Sequence, residues 1–367
     1  MVGCIDEFNA RQTGLLNLIT VEGTLTDFPE RQFVSIRRSQ SLGNSVGEIS
    51  ITDATVELVA NGSEVVQLKH ETLGQYVLPT TTKIVQGSRY KLRFRTKDGQ
   101  QYESDEQTMP SSTSFTAIRN EFQPKAILSD PVSNRYLPAH NLYIDAPDRP
   151  NEANFYEWTY TLWEQQSVCA TCQQGIYNRS GNTGNCVTQR SLAADNLYDY
   201  ICEGTCYDIV RSQNIVVFSD RLLKNNQLIN QLAAQVPFYQ EGACLVELRQ
   251  FNLTADAYQY RLLLNDQVKN KGSLADTPPA SLVGNIRNVT NASEKVVGHF
   301  SVAGGYSMRY WLDRPKTASA TSSVRALGLL GGRAINPEPA APPFRPPFAV
   351  CVPSLTRTPI TPAGWRN

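Results

Sequence analysis

The chain is 367 residues long, 41% hydrophobic and 19% charged, and its 34 basic residues balance 34 acidic ones. That length accommodates two domains or three at about 150 residues each. The composition excludes a disordered polymer, the charge balance offers no field to recruit nucleic acid, and no stretch approaches the roughly 18 consecutive apolar residues of a transmembrane helix.

Met1-Val2-Gly3-Cys4 has the form of a bacterial lipobox end, in which a small residue precedes a cysteine that is acylated and becomes the mature N-terminus. The basic and apolar segments of a signal peptide do not precede it, so the start reads as trimmed or misassigned. Asp6-Glu7 resembles an acidic surface-export signal, although two acids in a solvated arm need no special role. Residues 1–14 are expected to form a lipoprotein arm with Cys4 as the lipidated residue.

Residues 15–110 read as an antiparallel β-sandwich, immunoglobulin-like in strand number. Leu16 to Gly23 and Gln32 to Arg37 alternate apolar and polar residues around the break Asp27-Phe28-Pro29-Glu30. Thr55 to Val59 and Val65 to Leu68 flank Asn61-Gly62, a type I′ hairpin signal. Gly74 to Leu78, Tyr90 to Arg95 and Gln101 to Glu103 complete the set. The Lys91, Arg93 and Arg95 face of the sixth strand reads as a solvated outer face.

Residues 111–312 form a second, larger β-rich domain with one or two helices. Its clearest strand runs from Phe155 to Trp163, where Tyr156, Trp158 and Tyr160 share one face. Thr254-Ala255-Asp256-Ala257 starts a helix with an N-cap and an acidic first turn, continued by Tyr260, Leu263, Leu264 and Val268 until Gly272. Residues 313–367 are rich in Pro, Ala, Ser and Gly and read as an extended, poorly structured tail.

Six of the eight cysteines, Cys169, Cys172, Cys186, Cys202, Cys206 and Cys244, fall in one stretch. A disulfide framework in an oxidising compartment explains them best, because the polar loop from Gln173 to Gln189 has little apolar surface with which to hold itself. Zinc would require a second pair at finger-like spacing beside Cys169-x-x-Cys172, and the region holds no histidine. Cys172 runs into a loop rich in Asn and Gly, unlike the helix start of a thioredoxin-like redox site. Six thiols in three disulfides are expected, with no metal and no cofactor.

Catalytic signals are weak. His70, His140 and His299 lack a histidine partner at metal-ligand spacing. Gly43-Asn44-Ser45-Val46-Gly47 matches G-x-S-x-G, but a nucleophile elbow needs a buried strand before it and a helix after it, and here polar Ser39-Gln40-Ser41 precedes and strand-like Glu48 to Ile51 follows. No catalytic residue is expected, and a serine hydrolase using Ser45 is the remote alternative.

Two sets of short matches resemble a known family. The first is Cys4, Val21 to Asp27, Asp53 to Val56, Gly74-Gln75-Tyr76 and Tyr102-Glu103-Ser104. The second is Val236 to Tyr239, Val246 to Arg249, Leu253 to Tyr260, Pro278-Pro279, Gly284-Asn285-Ile286 and Val297-Gly298-His299-Phe300. Their order and spacing over residues 4 to about 312 are similar to the DUF4249 family of Bacteroidetes lipoproteins. The resemblance implies a surface-exposed outer-membrane lipoprotein encoded beside a TonB-dependent receptor, with an N-terminal module like the transthyretin-like domains. Members often end with two cysteines, of which Cys351 remains here.

The leading expectation is therefore a lipid-anchored accessory or substrate-binding partner of a TonB-dependent receptor in nutrient uptake, not an enzyme. Its partner or ligand surface is expected at Tyr156, Trp158, Tyr160 and Trp163, on the second domain rather than the sandwich. A structural or adhesive envelope protein is the alternative from another class.

Overall fold

The computed structural model describes residues 17–42, 45–130, 133–147, 153–189, 196–223, 227–269, 284–314, 324–328, 333–338 and 348–366. The first nine strands are β1 (Ile19–Thr26), β2 (Phe33–Leu42), β3 (Ser45–Ser50), β4 (Thr55–Ala60), β5 (Glu64–Thr72), β6 (Gln75–Val77), β7 (Arg89–Arg95), β8 (Gln101–Ser104) and β9 (Gln107–Thr108). There follow β10 (Ala117–Asp130), β11 (Arg135–Pro147), β12 (Phe155–Gln165), β13 (Val168–Gln173), β14 (Gly175–Ser180), β15 (Thr183–Thr188), β16 (Leu197–Cys202), β17 (Tyr207–Arg211), β18 (Val216–Ser219), β19 (Gln227–Pro237) and β20 (Cys244–Asn252). The helix α1 (Ala255–Lys269) precedes β21 (Ile286–Asn288), β22 (Val296–Leu312), β23 (Phe348–Ala349) and β24 (Arg357–Thr358). The protein is mainly β, as its alternating pattern requires.

The chain divides into two compact units, and the first is discontinuous. It takes the described residues up to Ser112 and those from Asn252 to Gly305, while the second takes Thr113 to Phe251 and those from Tyr306 onward. The boundaries expected at 110 and 312 are thus redrawn. The cause is pairing: β21 lies beside β8, and the first half of β22 lies beside β1.

In the first unit the strands follow the order β21-β8-β7-β4-β5-β6-β2-β1-β22. Strand β5 pairs with β4 along its first half and with β6 along its second, so it carries the sheet from one layer into the other. Ile19, Val21, Leu25, Val34 and Ile36 from one layer share a core with Val56, Leu58, Leu92, Phe94 and Tyr102 from the other. Each such burial stabilises by about 1.5–3 kcal/mol. Asn61 and Gly62 both take positive φ, as a type I′ turn demands. On β7, Tyr90, Leu92 and Phe94 are buried, while outward Lys91 meets Glu103 at 3.1 Å and Arg93 meets Glu57 at 2.7 Å. The basic face is matched by cross-strand carboxylates.

Among the described residues of the first unit the pairing is antiparallel except at β1, which runs parallel to β22 with Val21 opposite Gly298. Gly298 has a φ of +102°, and a Cβ there would lie 2.0 Å from the Val21 carbonyl oxygen, so only glycine fits this ladder. Next to it, His299 stacks on Tyr260 of α1 at 4.8 Å, and its Nε2 lies 2.9 Å from Asp256 Oδ2. Thr254 Oγ1 accepts the Ala257 N–H at 3.2 Å, the N-cap that the sequence announces. The helix therefore belongs to the first unit.

The second unit joins a sheet in the order β22-β20-β12-β17-β24 to a three-stranded sheet β10-β11-β19, with one core between them. The small sheet β13-β16-β23 and the hairpin β14-β15 carry the cysteines. The described parts of the tail are not loose. Among its described residues, Leu327 N–H donates to the Phe238 carbonyl at 2.8 Å, Arg333 pairs with Asp199 at 2.6 Å, and β23 and β24 add to the sheets. Polar anchors and a disulfide, rather than apolar periodicity, fasten it.

On β11, His140 is buried between Phe122 and Phe238, and neither ring nitrogen has a partner among the described residues. Burial, aided by the charge of Arg314, pushes it down from 6.5 to about 4. The unfolded chain takes up this proton below pH 6.5 and the folded chain does not until about pH 4, so stability falls as pH falls through that window. Between pH 7 and 4.5 this group is expected to cost about 2–3 kcal/mol. Urea unfolding of His140→Leu should lack that component, and identical pH slopes for both proteins would refute it.

Candidate functional site

Strand alternation decides which side chains of the second unit can form a site. On β12, Tyr156, Trp158, Tyr160, Leu162 and Glu164 point inward and Trp163 and Gln165 point outward. Tyr156, Trp158 and Tyr160 are therefore core, with Trp158 1% exposed and its indole N–H donating to Gln250 Oε1 at 2.9 Å. Three of the four aromatics expected on a partner surface are thus corrected to the interior. Trp158 and Tyr160 do border an internal cleft of about 360 Å³ with Tyr239, Gln213 and Asn214. Trp163 alone faces out, beneath the Arg309 guanidinium at 5.4 Å from its ring centre.

Beside it on the same outer face, Glu247 is held by Arg249 at 2.7 Å and Arg309 at 3.0 Å. Burial raises this carboxyl, but the two hydrogen bonds outweigh it and hold Glu247 below the usual carboxylate range. Trp311 of β22 follows Arg309 by two residues and takes the same side. The C-terminal segment first runs along the β17 edge, where Ile209 N–H donates to the Thr356 carbonyl at 2.8 Å and Arg211 Nη1 to the Leu355 carbonyl at 2.7 Å, and then reaches this face, where Arg309 donates to the Ala363 carbonyl. A turn from Pro362 to Trp365, closed by a 3.0 Å bond and passing through Gly364 at φ +90°, then delivers the Trp365 ring. That ring meets Trp311 edge to face at 5.0 Å and Tyr207 at 4.7 Å.

Next to these rings opens a cleft of about 530 Å³, lined by Glu164, Gln165, Gln166, Ser167, Gln240, Gly242, Ala243, Trp311, Trp365 and Arg366. Glu164 is 1% exposed and Arg314 3%, and they pair at 2.6 Å. Burial pushes the Glu164 carboxyl up, and the guanidinium opposes that rise. Arg314 also donates to the carbonyls of Gln240 at 2.8 Å and Gly242 at 3.3 Å, and to Cys244 Sγ at 2.8 Å. One side chain thus pins the two walls of the cleft, β12 and the Gln240–Ala243 loop. Gln240 Nε2 is buried on the wall with no partner among the described residues, and an orphaned donor of this kind costs about 1–3 kcal/mol.

The cysteines form Cys169–Cys202, Cys172–Cys186 and Cys206–Cys351, with Cα separations of 4.8, 5.4 and 5.5 Å. Cys244 is corrected: it is a buried free thiol in the β20 core, pushed up by burial, and Cys351 takes the sixth place. The Sγ atoms of Cys169, Cys202 and Cys206 lie within 4.8 Å of one another, but each is committed to a disulfide and offers no thiolate to a cation. The staples surround a small core of Tyr177, Tyr198, Tyr200, Ala349 and Val350, too little apolar surface to hold by itself.

Ser45 opens β3 opposite Leu42 in a hairpin, a strand-to-strand turn rather than a strand-to-helix elbow, and Gly43, Asn44 and Cys4 lie outside the described residues. Glu164, Gln240, Trp311, Arg314 and Trp365 escaped sequence reasoning. A tryptophan in a Pro-rich tail is the one signal that could have exposed the cleft, because a solvated tail has no use for it.

These features define a β-rich protein of two units, the second stapled by disulfides and holding a cleft of small-molecule size. The chain belongs to the DUF4249 family, a domain of unknown function, whose pattern matches residues 5–309. Glu164 and Gln240 fall inside the matched span, and Trp311, Arg314 and Trp365 lie beyond it. No curated protein matches the chain.

Proposed function

We propose that the chain is a lipid-anchored protein of the outer membrane, exposed at the cell surface, whose second unit binds a ligand and presents it to a TonB-dependent receptor. The cleft between Trp311, Trp365 and the Gln240 loop carries the ligand-binding part. It has partly exposed indoles, several neutral polar side chains, and walls pinned by a buried ion pair. Three disulfides support an oxidising compartment outside the cytoplasm. Gly3-Cys4 supports lipidation, and the receptor partner rests on the family resemblance.

Tethering explains why weak contacts would suffice. An arm of nine residues from Ile5 to Thr13 reaches at most about 30 Å. Anchoring both partners in one membrane raises their effective concentration for each other. Crosslinking followed by affinity purification of the native protein from membranes tests the reading. Recovery of a TonB-dependent barrel is the expected result. A protein recovered alone would remove the receptor, and one recovered with surface polysaccharide or a neighbouring cell would favour an adhesive role instead.

A further inference from the structure

The geometry points to a neutral saccharide as the ligand of the Trp311–Trp365 cleft, an inference that rests on the ligand-binding reading above. The charges argue first. Glu164 is committed to Arg314, which leaves Arg366 as the lining charge with no ion-pair partner among the described residues. A phosphate or a dicarboxylate would ask for more cations, commonly arginines in a fork.

The polar inventory argues next. Gln165 and Gln240 each offer a carboxamide, Gln166 offers the oxygen of one whose nitrogen donates to the Glu164 carbonyl at 3.5 Å, and Ser167 offers a hydroxyl. Carboxamides and hydroxyls both donate and accept, and so does every hydroxyl of a sugar. An apolar ligand would bury these groups without partners, which opposes binding. Gln240 Nε2 is buried with no acceptor among the described residues, so no hydrogen bond has to be broken for this carboxamide to turn toward a ligand hydroxyl.

The rings complete the match. An indole face carries negative quadrupole charge and attracts the polarised C–H groups on the flat side of a pyranose. Trp311 and Trp365 meet edge to face at 89°, so their contact occupies one ring face where a parallel stack would occupy two. Both rings are partly exposed, and at about 530 Å³ the cleft has room for more than one sugar ring. Arg314 holds the opposing walls in place before the ligand arrives, which reduces the ordering cost of binding.

Saturation-transfer NMR on the full chain tests this with maltotriose, cellotriose and mannotriose as probes and trialanine as a neutral peptide control. Transfer from at least one trisaccharide is expected, weakened about tenfold or more in Trp365→Ala and in Gln240→Leu, as for an aromatic anchor and a buried donor. Two variants are used so that misfolding of one, seen by near-ultraviolet circular dichroism, leaves the other to decide. No transfer from any trisaccharide, or transfer unchanged in the folded variants, overturns the proposal. Trialanine binding that depends on Trp365, with no saccharide bound, overturns the saccharide and leaves the ligand-binding reading standing. Silence from all four probes counts against both.

Discussion

Arg314→Met is expected to destabilise the protein by about 3–5 kcal/mol, because it strands the buried Glu164 carboxylate. The methionine retains most of the length and none of the charge. It also leaves the carbonyls of Gln240 and Gly242 without their donor, so the cleft should loosen as the unit weakens. With the guanidinium gone, burial raises the Glu164 carboxyl unopposed. A carboxyl whose folded value lies above its unfolded one gains stability as pH falls through the folded value, so the deficit should be smaller at pH 5 than at pH 8. Adding Glu164→Gln should recover much of the loss, since a neutral amide is far less costly to bury than an unpaired charge. Urea unfolding of the unaltered protein and the two variants at both pH values measures all of this. A deficit below about 1 kcal/mol, typical of exposed pairs, would show that the pair is solvated.

The second large effect is expected at Cys206–Cys351. The bond spans 145 residues, against 14 for Cys172–Cys186. A longer loop loses more entropy when it is closed in the unfolded chain, so the Cys206→Ser, Cys351→Ser double variant should lose about 2–5 kcal/mol, more than removal of the short bridge. It should also release the segment that holds Trp365 over Trp311, which thermal unfolding and a red shift in tryptophan emission would report together. Equal costs for the two bridges, with unchanged emission, would mean that the segment is held by its β24 pairing and its arginine contacts alone.

The strands of the first unit were legible because one face of each is buried and the other is wet, and period-two alternation records that difference. The helix was legible through Thr254, whose hydroxyl caps it. Pairing was not. Nothing local in Val21 or Gly298 says that they lie opposite each other, because ladder hydrogen bonds are made by the backbone and leave little trace in side-chain type. The β12 aromatics show a second limit. Alternation divides Phe155 to Trp163 into two faces, but aromatic residues sit on both, so the pattern alone does not say which face turns inward. Cys351 shows a third. A cysteine in a Pro-rich stretch reads as an isolated thiol until its partner at Cys206 is brought near. The cleft depended on all three kinds of missing information, since its walls come from β12, the loop before β20, the end of β22 and the last turn of the described chain.

Strand β22 hydrogen-bonds to β1 with its first half and is also a neighbour of β20, so each unit is completed by the same late segment. Thr24 and Ser301, side by side in the finished ladder, are 277 residues apart in the chain. During synthesis from the N-terminus, β1 therefore waits for its parallel neighbour until most of the polypeptide has emerged, with an open strand edge exposed throughout. Such contacts also make folding slow, because the loop must be closed before the ladder rewards it. A chain cut before Val296 would carry two unfinished sheets instead of one intact unit.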